Sequence, residues 1–265
     1  MAMEPLSPLV LLVAFSSFLV SQWLFHTGGP WLSERLTPHF LTLNHTQRTE
    51  WSTRVVSTVH AFVVGLLCLY IFLFDEAIQE DPVWADSSLV KLSVSITTGY
   101  LISDLLLMVY FWDFIGEKNF LMHHLAALYA YCYVLSQGIL PYFANFRLLS
   151  EFSTPFVNQR WFLQVLGYHK CSKPSLVNGV AMAASFFLAR IAVIPVYYRH
   201  MYSVYGTEAF TRLSQDARFA WVLCSLCLDV MNVMWMRRIL RGCLKVLRSG
   251  RVREAAMELE SRKMD

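Results

Sequence analysis

Two adjacent histidines, His123 and His124, stand inside a stretch that is otherwise apolar. A neutral imidazole accepts protons or attacks carbonyl carbon when an acid orients it, and Asp104 is a candidate for that acid. Neighbouring residues on a helix point about 100° apart, so the pair is a poor chelate by itself and no metal or cofactor is expected. Further along, Arg147, Glu151, Thr154 and Asn158 recur at helical spacing and form one polar stripe. Arg147 and Glu151 are four residues apart, the separation at which opposite charges pair on a helix. Pro155 removes a backbone hydrogen bond from the same segment, so a kink or opened backbone is expected near Glu151. The candidate catalytic set is therefore His123, His124, Asp104 and Glu151. The candidate lining of a polar cavity is His60, Arg147, Asn158, Asp229 and Asn232. Both sets carry a structural alternative: a buried ion pair that fixes helix register, and polar contacts between helices made by Asp104 and Asp229.

These residues gain weight from the segments that hold them. Of 265 residues 56% are apolar and 15% charged, and the mean hydropathy is +0.44. A bilayer suits such a chain better than water. About 20 predominantly apolar residues cross a hydrocarbon core, and segments of that kind fall at 6–25, 52–74, 89–112, 120–137, 142–166, 175–198 and 217–236. The expected fold class is thus an all-α polytopic membrane protein with seven spans. The fifth segment is the most polar, because it carries Arg147, Glu151, Asn158 and Arg160. An ionisable side chain at a span's centre costs about 2.5 to 3.5 kcal/mol on translocon scales, so each such residue faces the bundle interior and marks a site; His60 and Arg190 belong to this group as well.

With the C-terminus in the cytosol, fifteen Lys and Arg residues fall on the cytosolic side and four on the other: Lys91, Arg199, Arg212 and Arg218. The acidic loop from Asp75 to Asp86 is then lumenal or extracellular, and the sequon at Asn44 is cytosolic and unmodified. The first segment has no basic n-region and no small-residue cleavage site before Gly28, so it is expected to remain as a helix. Cys224 and Cys227 form a CxxC on an apolar helix with no second ligand pair, which favours packing over zinc or redox chemistry. The net charge of +3 is concentrated in a few segments and speaks to topology, not to nucleic acid.

Several motifs resemble the TLC superfamily, which includes ceramide synthases and translocon-associated TRAM proteins. They are Arg54-Val-Val-Ser-Thr-Val-His60, Tyr70-Ile-Phe-Leu-Phe-Asp-Glu76, Gly99-Tyr-Leu-Ile-Ser-Asp104, Met122-His-His124, Asn145-Phe-Arg-Leu-Leu149, the STPFVNQRW run from Ser153 to Trp161, Met201-Tyr-Ser-Val-Tyr-Gly-Thr-Glu208 and Leu228-Asp-Val-Met-Asn-Val-Met-Trp235. The resemblance implies a six-helix TLC barrel plus one N-terminal transmembrane helix, divided as 1–44, a TLC domain at 45–240, and a basic cytosolic tail at 241–265. It also implies residence in the endoplasmic reticulum, to which Arg262 and Lys263 near the C-terminus add a dibasic pattern.

In the ceramide synthases a His-His pair is followed by His-Asp and a second Asp, and these residues support acyl transfer from acyl-CoA. His123 and His124 match the first pair, whereas Ser150 and Glu151 occupy the His-Asp position and Thr154 that of the second Asp. This departure favours membrane lipid homeostasis through binding, sensing or transport of a lipid in a central cavity. A His-dependent acyltransferase acting on a ceramide-related or other lipid with acyl-CoA stays open as a second reading, and a trafficking or translocation partner as a third. The expected partner is a membrane lipid.

Overall fold

The protein, seen in a computed structural model, is described for residues 6–264, with side chains described through residue 246. Its described residues form helices joined by short turns, and the chain supplies the stop and start signals for each. Pro8 opens α1 (Pro8–Leu36), where its missing N–H leaves no helical bond unmade. Asn44 and Gln47 cap α2 (His45–Phe74) reciprocally, each side chain accepting from the other's backbone N–H at 2.9 and 3.1 Å. The Ser87 hydroxyl accepts from Val90 N at the start of α3 (Ser88–Tyr110). Then α4 (Lys118–Gln137) ends on Gly138 in the left-handed region at φ +64°, which only glycine adopts without strain.

The next segment is divided. A short helix α5 (Pro141–Leu148) passes into a 3-10 turn (Leu149–Ser153) and then into α6 (Thr154–Val165), with Pro155 in the first turn of α6. The irregular backbone expected near Glu151 takes this form. Two long helices complete the chain: α7 (Lys173–Val204), interrupted by a π turn at Phe187–Ile191, and α8 (Gln215–Met264). The Arg262-Lys263 pattern lies outside the residues whose side chains are described.

Among the described residues, five helices are long and apolar enough to cross a membrane: Pro8–Leu36, His45–Phe74, Ser88–Tyr110, Lys173–Val204 and Gln215–Val246. The segments expected as the fourth and fifth spans fall short of that mark, since α4 carries Lys118 and both histidines and the α5–α6 segment is broken and polar. All the same, both run between the same two ends as their neighbours. At one end Phe40, Trp51, Phe162 and Leu166 cluster and Arg238 reaches Glu117. At the other, Leu140 N donates to Val83 O at 2.7 Å and Trp84 Nε1 to Ala209 O at 2.8 Å.

Helix α2 packs on α3, α3 on α4, α4 on α8, α8 on α7, α7 on α6, and α6 returns to α2. Along α2, Ala61, Val64, Cys68 and Ile71 are buried toward this interior while Phe62, Leu66 and Leu73 are exposed, the distribution that a lipid exterior permits. Helix α1 lies outside, against α3, where Gly99 allows contact so close that a Cβ there would stand 2.0 Å from Ala14 O. Ser17 Oγ donates to Ile96 O and Gln22 Nε2 to Ser103 Oγ along the same seam, so polar bonds align what the small residues bring together.

Candidate functional site

Two contiguous chambers lie between α2, α3, α4, the α5–α6 segment, α7 and α8. The inner one, about 130 Å³, is walled by His60, His123, His124, Arg147, Glu151 and Asn232, among others. The larger, about 680 Å³, takes in Arg54, Asp104, Asn158, Arg160 and Arg238. Ser57, Tyr100, His124, Thr154, Arg190 and Trp235 line both and mark their junction.

His124 is held at both ring nitrogens. Nδ1 lies 2.8 Å from Phe120 O, one turn back on α4, and a carbonyl oxygen only accepts, so Nδ1 carries hydrogen. Nε2 lies 3.0 Å from Asp104 Oδ2 on α3, and this contact needs a proton shared between ring and carboxyl. The structure therefore brings together the histidine and the orienting acid named from sequence. With both nitrogens engaged, His124 acts as a proton-holding dyad with Asp104 and presents no free lone pair. His123 differs: it makes no hydrogen bond to a described residue, its Nδ1 is buried without a partner, and its ring lies 5.0 Å from that of Trp235. Of the two imidazoles, His123 has the uncommitted nitrogen. His60 is buried and stacked on Tyr100 at 4.0 Å, which fixes one wall of the inner chamber.

The pairing of Arg147 with Glu151 expected from spacing does not form. Arg147 instead holds Asp229 on α8 with both terminal nitrogens, at 2.5 and 3.1 Å, and its guanidinium lies 3.8 Å from the Tyr197 ring centroid. The reason is the turn between them. An α-helix advances roughly 100° per residue and a 3-10 helix roughly 120°, so the Leu149–Ser153 turn rotates Glu151 off the face that carries Arg147. The single stripe expected from sequence is broken for the same cause. Glu151 stays on the inner chamber and accepts from Thr154 Oγ1 at 3.0 Å. Asp229, engaged by Arg147, is not among the residues that line the two chambers.

Asn158 is spent on α2: its amide nitrogen donates to Arg54 O, Ser57 Oγ and Thr58 Oγ1, and its oxygen accepts from Arg54. It lines the larger chamber while tying α6 to α2. Asn232 accepts from Arg190 NH1 at 3.3 Å. Arg190 is the residue that the candidate sets omit. It sits in the π turn of α7, and such widened turns recur at functional sites. Its neighbours at three and four residues, Phe186, Phe187, Val193 and Ile194, are all apolar. That pattern is the sequence signal, because an arginine in a span with no local acid must find its partner on another element. The described cysteines are all free, and no group of three or more His, Cys, Asp or Glu side chains among the described residues is placed to hold a metal.

Residues 50–241 match the TLC domain family model. The chain is 58% identical to TLC domain-containing protein 4-B of Xenopus laevis over 92% of its length and 94% of that protein's. It is 48% identical to human TLC domain-containing protein 4 over 99% of its own length and 100% of the human chain. A more distant relative, Topoisomerase I damage affected protein 4 of Saccharomyces cerevisiae, is 25% identical over 87% of the chain and 83% of the yeast protein. No solved structure matches the chain.

Proposed function

Because the chain belongs to the TLC domain family, we propose that it is a multi-pass endomembrane protein that acts in membrane lipid homeostasis, holding a lipid in a cavity framed by six helices. In this reading α2, α3, α4, the α5–α6 segment, α7 and α8 form the barrel, and α1 is a seventh span outside it. The circular order of helix contacts supports the arrangement. The observation that carries the function is the pair of joined chambers, with polar and ionisable side chains at their junction, inside a chain otherwise suited to lipid. A cytosolic C-terminus fits the distribution of basic residues, and residence in the endoplasmic reticulum rests on the family resemblance and the Arg262-Lys263 pattern.

Native mass spectrometry of the purified protein tests the reading. A co-purified lipid is expected in the wild type, with changed occupancy in His124→Ala at near-normal abundance. If the wild type and every histidine variant carry the same lipid profile, the cavity is not where lipid is held.

A second reading, acyl transfer from acyl-CoA to a lipid, is favoured by one specific observation: the buried Nδ1 of His123 has no partner and stands next to the His124–Asp104 dyad. Incubation with a long-chain acyl-CoA followed by intact-mass measurement should then give a single acyl adduct that is lost in His123→Ala. Unmodified protein after full incubation would remove this reading and leave the binding function standing.

A further inference from the structure

The charges around the two chambers are neutralised unevenly. Arg54 meets Glu50, Arg238 meets Glu117, Arg147 meets Asp229, and His124 meets Asp104. Among the described residues that line the chambers, two guanidiniums have no carboxylate within ion-pair distance, Arg160 and Arg190. Arg160 is exposed, where solvent or lipid headgroups can reach it. Arg190 is 8% exposed and stands at the junction of both chambers.

Every described partner of Arg190 is neutral. Nε donates to Ser153 Oγ at 2.8 Å, NH1 to Asn232 Oδ1 at 3.3 Å, NH2 to Thr154 Oγ1 at 3.3 Å, and the guanidinium carbon lies 5.1 Å from the Phe186 ring centroid. A guanidinium has five N–H donors, so three acceptors leave two donors over, and the two 3.3 Å bonds are long for N–H···O contacts. Glu151 also lines the inner chamber and reaches Arg190 only through the Thr154 hydroxyl, which accepts from NH2 and donates to Glu151 Oε2, so the nearest carboxylate stands one hydroxyl away and forms no ion pair with Arg190. A buried cation with no carboxylate in direct contact is incompletely compensated, and a second anion that reaches it is stabilised. Beside it, Met182, Phe186 and Ile239 give the larger chamber an apolar wall.

We propose that Arg190 anchors the anionic group, carboxylate or phosphate, of an amphipathic lipid whose chain lies along the Met182, Phe186 and Ile239 wall. The inference rests on the lipid-cavity reading and adds to it the chemical class of the ligand. Both oxyanions accept two N–H bonds from one guanidinium, so the shared chemistry is that of a planar fork on an oxyanion.

The test titrates the purified full-length protein in detergent with three probes, oleate, dioleoyl phosphatidic acid and uncharged monoolein, following affinity and ligand-induced thermal stabilisation. The wild type should bind at least one of the two anionic lipids about tenfold more tightly than monoolein, Arg190→Gln should lose that margin, and Arg190→Lys, which keeps the charge and loses the fork, should keep only part of it. The anion that retains the larger margin identifies carboxylate or phosphate as the source. Arg212 lies over Trp84 and lines neither chamber, so Arg212→Gln should bind as the wild type does. If Arg190→Gln does not fold, the ranking of the three probes on the wild type still decides the matter.

Monoolein bound as tightly as both anions would overturn the anchor and leave the cavity reading intact. Folded Arg190→Gln with unchanged anion affinity would overturn it too. Failure of all three probes to bind would take both readings down together.

Discussion

Arg147, partly buried, and Arg190, buried, stand in the same polar interior and both line the inner chamber, yet their surroundings are opposite. Arg147 meets a carboxylate through two parallel bonds and lies over an aromatic face, while Arg190 is met by a serine, a threonine and an asparagine. The first arrangement closes a charge account between α5 and α8 and leaves little for a ligand. The second keeps a positive charge open at the junction of two cavities. Where a buried ionisable group finds its counter-ion, it works as a fastener; where it does not, it is available for binding.

The comparison breaks most visibly at the fastener. Replacing either Arg147 or Asp229 with leucine strands a buried charge and should destabilise the protein by about 3 to 5 kcal/mol, and the double leucine variant should recover much of that loss. Melting curves in detergent for the two single variants and the double variant form the cycle. Additive losses in the double variant would mean that the two residues do not form a coupled pair.

Asp104→Leu comes next. It removes the acceptor of the His124 Nε2 contact and leaves a buried imidazole with one bond, a loss of about 1 to 3 kcal/mol. His124→Ala in the Asp104→Leu background should then add little, because their mutual contact is already gone. If the second substitution costs as much as it does in the wild type, the dyad is not a unit.

Arg190→Gln should lie within about 1 kcal/mol of the wild type, since no direct ion pair is broken and a buried charge is removed. Ser153 keeps its bond to Ser150 O and Thr154 its bond to Glu151. A loss as large as that of Arg147→Leu would erase the distinction between the two arginines. The smallest effect belongs to Glu151→Leu, under about 1 kcal/mol, because Glu151 holds only a neighbouring hydroxyl. A loss of several kcal/mol, rescued by Arg147→Leu, would instead restore the pairing that helical spacing suggested.

Much of the site was legible before any coordinates. The histidine pair, Asp104, and the polar character of the segment from Arg147 to Asn158 all stand out against an apolar background, because each ionisable group in a span needs a reason to be there. Asp104 and His124 meet as their types suggest. Glu151 did not follow its spacing, since four-residue pairing presumes an unbroken α-helix and the Leu149–Ser153 turn is not one. Arg190 was visible as an ionisable residue in a span, but the signal that sets it apart is a lack of local acids, which points to no particular partner.

By itself the sequence determined that the chain is helical, that its apolar runs belong in a bilayer, and where its caps and breaks fall, because hydrophobic length, prolines, glycines and capping residues act over a few positions. Tertiary structure alone decided which helices are neighbours and which charges meet. Arg147 finds its carboxylate 82 residues away, on a helix that joins the interior beside α4 and α7, and Arg190 has none in direct contact because the elements around it bring hydroxyls and an amide. Contacts between helices distant in sequence depend on how whole faces pack, and no local period in the chain encodes that choice.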